Sequence, residues 1–329
     1  MQAVARKAPG GRPPLLRTKL PQARYTAAVR VVFVEQPGNL PPPPAQGRVA
    51  VVDVAFAGGD NFEKSTVPFL SALGDRLAIW IDHHEHPLGW ARYRDDPRFL
   101  LVPNRQAHAC PELVTPDVVA RAGAVDAVVA HADFDGLLSA VKFLRGGTPP
   151  WPEADEDARA ADSPGRGHAL SPRARLLSDA LDHAAAEWRS AQREALRQQI
   201  VQGLAKGTIP LALQERIEQL ARAQEESLAP VAALAEQARE EAQGVLVARF
   251  AKPLARPVKK ALLSRLEERA PVGVVVEGRA VTVATFRDLD LAQVDELGAG
   301  RSDYRFAQAE DGGRHIVARL GELVRAELE

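Results

Sequence analysis

A single cysteine, Cys110, stands among the 329 residues of this chain. That excludes an internal disulfide framework and suits a reducing compartment, so a cytoplasmic protein is expected. Nor does any apolar run approach the ~18 to 20 residues of a membrane-spanning helix, and no membrane partner is expected. Charge of one sign is missing too: 42 Lys and Arg stand against 43 Asp and Glu, a net charge of -1. Proteins that track long nucleic acids carry a basic stripe, because counterion release from many phosphates drives their binding. This chain has no such overall bias.

What is present is ordinary for a globular protein, with 46% hydrophobic and 26% charged residues. The length allows two domains. The start of the chain differs in composition. Arg6, Lys7, Arg12, Arg17, Lys19, Arg24 and Arg30 occur there without an acid, among Pro9, Pro13, Pro14 and Pro21. Prolines and glycines break any amphipathic helix, so residues 1–26 read as a disordered basic tail rather than a transit peptide. No apolar core of a secretory signal follows the basic residues.

Order begins near Ala27. Residues 29–34, 48–55, 76–81 and 125–130 are Val- and Ile-rich runs of the kind that form buried parallel strands. Three of them lead to polar, metal-competent side chains. Asp53 lies near the end of the second run, and Asp82-His83-His84 follows the third at once. His131-Ala132-Asp133-Phe134-Asp135-Gly136 follows the fourth and precedes a helical pattern over residues 137–145, which Gly146-Gly147 stops. In an open α/β sheet, ligands bind outside the carboxyl ends of the strands, where helix N-termini favour anions. Alone, the HxDxDG segment reads equally as a capped turn, and so does Asp53 ahead of Gly58-Gly59-Asp60. Pooled at three strand ends, these His and Asp residues form the ligand set of a borderline metal. A mixed imidazole and carboxylate set without thiolates suits Mn²⁺, with Mg²⁺ or Co²⁺ as alternatives, and argues against structural zinc.

Together, the three segments resemble the motifs of the DHH phosphoesterase superfamily over roughly residues 29–171. Its members include RecJ-like exonucleases, oligoribonuclease-like nucleotide phosphatases, cyclic-dinucleotide phosphodiesterases and family II pyrophosphatases. The order departs from the family pattern, because HxDxDG usually comes first and here follows DHH. A circular permutation, or an insertion of the first strand-helix unit, would leave this order, since ligands need strands that are adjacent in the sheet rather than sequential. The resemblance implies that His131, Asp133 and Asp53 hold one metal, and that Asp135, Asp53, His83 and Asp162 hold a second, with Asp53 bridging. It also implies that Asp82 orients His83 and that His84 faces the phosphate, the two forming the catalytic pair. Asp162 is the match to the fourth motif, with Asp155 and Asp157 as alternatives. The implied activity is two-metal hydrolysis of a phosphodiester or phosphomonoester by metal-activated hydroxide. Balanced charge fits a nucleotide or short single-stranded oligonucleotide better than a long duplex. The alternative is a non-catalytic nucleotide or metal sensor of the same fold.

Residues 171–245 read as a long helical connector, helical to about Gln243 and broken over residues 203–210. Leu176, Leu177, Leu181, Ala184 and Trp188 form an apolar face, continued by Ile217, Leu220, Leu228, Val231 and Leu234. A connecting hairpin is the main reading, and a homodimer surface the sharper alternative. Residues 245–250, 272–276 and 280–284 read as strands, and 257–270 and 316–329 as helices. This segment resembles the smaller DHH-associated domain, which implies that Arg301, Ser302, Gly312, Gly313, Arg314 and His315 hold substrate. Arg314 stands where the family has a third glycine, which alters the backbone cradle or replaces it with a guanidinium. The expected fold is therefore α/β: a parallel-sheet DHH-type metal domain over 27–170, the helical connector, and a C-terminal α/β domain over 246–329.

Overall fold

Alternation within short apolar runs builds the first sheet. The computed structural model describes residues 29–162, 169–285, 287, 289, 291–297 and 304–328, and the expected tail and the pair Arg301-Ser302 lie outside them. Five strands pair in parallel: β1 (Arg30–Val34), β2 (Val49–Val52), β3 (Leu77–Asp82), β4 (Phe99–Leu101) and β5 (Ala127–His131). Their order is β1-β5-β2-β3-β4, so the strand that carries the late HxDxDG segment inserts between β1 and β2. Val31, Phe33, Ala50, Val52, Ile79, Ile81, Val128 and Ala130 fill one core, while Val49, Val51, Trp80 and Val129 fill another on the opposite face. A parallel sheet covered on both faces needs apolar side chains in both phases of its strands, which is why the runs are continuous.

Helices α1 (Val67–Leu73), α2 (Pro87–Tyr93) and α3 (Pro116–Ala122) lie in the connections, and α4 (Phe134–Leu144) follows β5. Every residue of α4 is buried, as a helix with neighbours on all sides requires. After α5 (Ala154–Asp162) come α6 (Pro172–Glu187), α7 (Ser190–Lys206), α8 (Leu211–Leu228) and the short α9 (Val231–Ala235). The apolar face expected on this stretch is spent inside the molecule: Leu177, Leu181, Leu196, Ile200, Ile217 and Leu220 belong to the same core as the first sheet. Helix α7 also covers the edge strand, with Gln198 Nε2 donating to the Val31 carbonyl at 2.7 Å. Edges left open invite pairing with other chains.

The helical reading to Gln243 is corrected by β6 (Arg239–Ala242), a strand at the edge of a second sheet. Arg239, Glu240 and Glu241 are exposed and carry no alternating apolar signal, so only pairing with the next strand reveals them. β7 (Val245–Phe250), α10 (Arg256–Glu267), β8 (Val272–Glu277) and β9 (Ala280–Ala284) follow the expected pattern closely. β10 (Tyr304–Gln308) and α11 (Arg314–Leu328) complete a mixed sheet of order β10-β9-β8-β7-β6. Val247, Val274 and Val283 meet Ile316, Val317 and Leu320 of α11 on one face, and Leu262, Leu263 and Leu266 of α10 cover the other. Among the described residues, no helix is long and apolar enough to cross a membrane.

Candidate metal centre

Strand register assembles the site. Val52 pairs with Ile81 on one side and with Ala130 on the other, so the next residues, Asp53, Asp82 and His131, emerge at one level of the sheet's carboxyl edge. Asp53 itself leaves the strand in a left-handed conformation, φ 59°, the only such non-glycine backbone among the described residues. Aspartate tolerates this region better than most residues, and its appearance at a buried strand end marks a locally imposed geometry. Its side chain is 0% exposed.

Around Asp53 the His and Asp side chains converge. His83 Nε2 lies 3.3 Å from Asp53 Oδ1, 3.8 Å from Asp135 Oδ2 and 3.9 Å from Asp162 Oδ2. His131 Nδ1 lies 3.9 Å from Asp53 Oδ2 and 2.8 Å from Asp133 Oδ2. Three triads result, Asp53-His83-His84, Asp53-His131-Asp133 and His83-Asp135-Asp162, each with its ligand atoms within 4.8 Å of one another. Asp53 thus turns one oxygen toward His83 and the other toward His131. Both its oxygens, His83 Nε2, His131 Nδ1 and Asp135 Oδ2 are buried and make no hydrogen bond among the described residues. Unpaired buried carboxylates are costly, and lone pairs aimed at shared points are what a hard or borderline cation needs. The donor set fits divalent ions.

The surroundings hold these groups in place. Asp133 caps α4, accepting from Gly136 N at 3.1 Å. A Cβ at Gly136 would stand 2.5 Å from the His131 carbonyl oxygen and 2.9 Å from Asp53 Oδ2, so only glycine lets the helix start this close to the cluster. The expected role of Asp82 is corrected. Its Oδ1 accepts from His84 Nδ1 at 2.8 Å and from His83 N at 3.0 Å, whereas the His83 ring is oriented by the Ala107 carbonyl, 3.1 Å from Nδ1. The two rings pack edge to face, with centroids 4.4 Å apart, yet are held by different partners. A backbone carbonyl carries no side-chain signal, which is why Ala107 is invisible in the sequence.

Both alternatives to Asp162 are occupied elsewhere: Asp155 pairs with Lys142 at 2.5 Å, and Asp157 accepts from Trp151 Nε1 and Ser171 Oγ, both at 2.7 Å. Cys110 is buried with its thiol against the Ile81 carbonyl, as a structural residue.

Crowded acids and imidazoles shift one another. Burial raises Asp53 and Asp135, and neighbouring carboxylates add to the rise at Asp135. Asp162 is pushed up to about 6, first by burial, with His83 and His84 opposing. Burial works against protonation of His84 and His131, yet Asp82 carries His84 up to about 10 and Asp133 carries His131 up to about 9. Asp133 is held low despite burial by the His131 imidazolium.

In the second unit, Gly312, Gly313, Arg314 and His315 open α11. His315 sits between Asp311 Oδ2 at 2.8 Å and Glu296 Oε1 at 3.0 Å, whereas Arg314 lines a separate cavity with Glu241, Gln243 and Arg325. These two neighbours therefore do not converge.

The architecture, with motif residues at the carboxyl edge of a parallel sheet, then helices, then a second and mixed sheet, follows the expected α/β arrangement. No family model and no curated protein sequence matches the chain. Among solved structures it is similar to exonuclease RecJ bound to manganese, with 15% identity and TM-score 0.37 over 85% of this chain and 75% of that one. It is similar to RecJ in complex with Mn²⁺ from Thermus thermophilus, with 16% identity and TM-score 0.38 over 85% of this chain and 45% of that one. The pGpG-specific phosphodiesterase PggH from Vibrio cholerae shares 12% identity at TM-score 0.38, over 85% of this chain and 99% of that one.

Proposed function

We propose that the protein is a metal-dependent phosphoesterase that hydrolyses a phosphodiester or phosphomonoester bond of a nucleotide or short oligonucleotide. The observation that carries the reading is the convergence of three ligand triads linked through Asp53 and His83, with donor atoms of Asp53, His83, His131 and Asp135 buried and unpaired among the described residues. His131, Asp133 and Asp53 would hold one divalent ion of the Mn²⁺ type, and Asp135, Asp53, His83 and Asp162 a second. When bound, such ions supply an activated water and neutralise charge on the phosphoryl oxygens.

The chain's own groups complete the chemistry. His84 is 39% exposed on its side chain and is tied through Nδ1 to Asp82, which favours the imidazolium. Its other ring nitrogen is left to hydrogen-bond a substrate oxygen and to deliver a proton to the departing alkoxide. Asp82 keeps that ring turned and charged, and Ala107 does the same for the orientation of His83. Acids raised by burial would yield their protons when cations enter.

The test is hydrolysis by metal-stripped protein, with and without Mn²⁺. Suitable substrates are bis-p-nitrophenyl phosphate, linear and cyclic dinucleotides, a 3′,5′-bisphosphate nucleotide, short RNA and pyrophosphate. We expect turnover that requires metal and disappears in Asp135→Ala. Metal binding without turnover of any substrate would favour a sensor, and absence of metal binding would sink the site altogether.

A further inference from the structure

The turn that opens α11 is already closed by the protein itself. Asp311 Oδ1 accepts from Gly313 N at 2.8 Å, and Oδ2 accepts from His315 N at 3.0 Å and lies 2.8 Å from His315 Nδ1. Glu296 takes the other ring nitrogen at 3.0 Å. Below the turn, Arg249 donates to the Gly312 carbonyl at 2.6 Å while a two-point pair with Glu241 holds its guanidinium. The glycines are accounted for by the same packing. Gly312 and Gly313 both have positive φ, at 67° and 77°, and a Cβ on Gly313 would stand 2.7 Å from Val281 Cγ2. Neither needs an approaching ligand to explain it.

A phosphate cradle works by offering unsatisfied backbone N–H groups and a cationic side chain to an anion. Here one carboxylate takes two of those N–H groups and the imidazole as well, and a second carboxylate stands on the far side of the ring. An incoming phosphate would have to displace Asp311 and face Glu296. We propose that Asp311 fills the place of a phosphate in this turn, so that the turn does not select substrates by a phosphate at their non-reacting end. In its substrate consequence, this rests on the phosphoesterase reading.

Two measurements on the full chain separate the claims. Inorganic phosphate is titrated while the His315 imidazole resonances are followed. Wild type should give no saturable shift, and Asp311→Gly, which empties the donors, should give one. Asp311→Ala also empties the donors without adding backbone freedom, and serves if the glycine variant frays α11. A saturable shift in wild type, or none in either variant, overturns the proposal. In the kinetic arm, KM for a linear dinucleotide with and without a 5′-phosphate should agree within about twofold in wild type, and an advantage of about tenfold or more for the phosphorylated form overturns it. Failure of wild type to turn over either dinucleotide counts against the phosphoesterase reading, and the phosphate titration still decides the proposal.

Discussion

Two helices of this molecule begin with the same small device and do different things with it. At α4, Asp133 caps the helix and lies 2.8 Å from His131 Nδ1; at α11, Asp311 caps the helix and lies 2.8 Å from His315 Nδ1. What differs is the neighbourhood. The parallel strands β2, β3 and β5 all end at one edge, so α4 starts among Asp53, His83, Asp135 and Asp162, several with unpaired atoms. The mixed sheet has no such common edge, and α11 starts beside Glu296 and Arg249, which complete the device. The same aspartate-histidine pair is therefore a satisfied cap at α11, whereas at α4 it caps the helix beside buried atoms short of partners, which is what the proposed metal site requires.

The largest effect should come from Asp53→Asn, which removes the charge shared by two of the three triads. Asparagine also accepts a left-handed backbone, so the fold at φ 59° survives. We expect Mn²⁺ binding by calorimetry to collapse and activity to fall by more than about a hundredfold, beyond the usual cost of losing an outer partner. The metal-free thermal midpoint should hold or rise, because an unpaired buried carboxylate is gone. A large drop in that midpoint would show Asp53 to be structural. The same substitution at Asp311 should leave metal binding untouched.

Next is Asp82→Asn, which loosens His84 and leaves His83 tied to Ala107. Activity should fall about 10 to 100-fold with metal affinity nearly unchanged. Equal losses in both would return Asp82 to the role of orienting His83. Gly136→Ala tests the close start of α4: relief of contacts at 2.5 and 2.9 Å should cost about 1–3 kcal/mol of stability and weaken metal binding. Unchanged melting and affinity would mean that the helix start can shift freely.

Much of this contrast was legible in the sequence, and the rest was settled by pairing. Asp53, Asp82 and His131 stand out because buried apolar runs end at them, and a chain does not place such groups there for packing. The position of β5 between β1 and β2 could not be read, because parallel strand order is set by crossovers rather than by adjacent residues. Asp157, an alternative to Asp162 in the sequence, is claimed by Trp151 and Ser171. β4 has three residues and β6 is polar, so neither carries a periodic signal. Asp82 and the two histidines are contiguous, and only ring rotation decides which one the carboxylate holds.

A smaller effect concerns pH. Carboxyls raised in the fold, with Asp162 up to about 6, keep protons that the unfolded chain has released, so their contribution to stability is lost as pH rises from the ordinary carboxylate range. His131 and His84, raised to about 9 and about 10, contribute fully below their ordinary value of 6.5 and lose that contribution as pH climbs through those values. Both groups act in one direction. The metal-free thermal midpoint should therefore fall between about pH 6 and 9, and saturating Mn²⁺, which takes the protons' place, should flatten the slope. A flat metal-free profile would contradict the crowding of the cluster.

The smallest effect separates the two histidines by salt. The His315 side chain is 44% exposed and its Asp311 partner 40%; His131 is 25% exposed, and while Asp133 on one side of it is 45% exposed, Asp53 on the other is buried. Asp311 is held down to about 2 and His315 raised, in each case first through the bond between them, with Glu296 adding to the rise at His315. The pair's contribution is present above the ordinary aspartate range and below that of histidine, and it is lost as pH falls through about 2 or rises through the raised histidine value. Exposed pairs are screened, and the Debye length shrinks from about 10 Å at 0.1 M salt to about 3 Å at 1 M. In metal-free protein, added salt should therefore return the NMR titration midpoint of His315 toward 6.5 by more than it moves that of His131, which keeps the buried Asp53 beside it. Parallel shifts of the two would mean that solvent reaches the cluster as freely as it reaches the cap, and the distinction between a satisfied pair and a shielded one would fail.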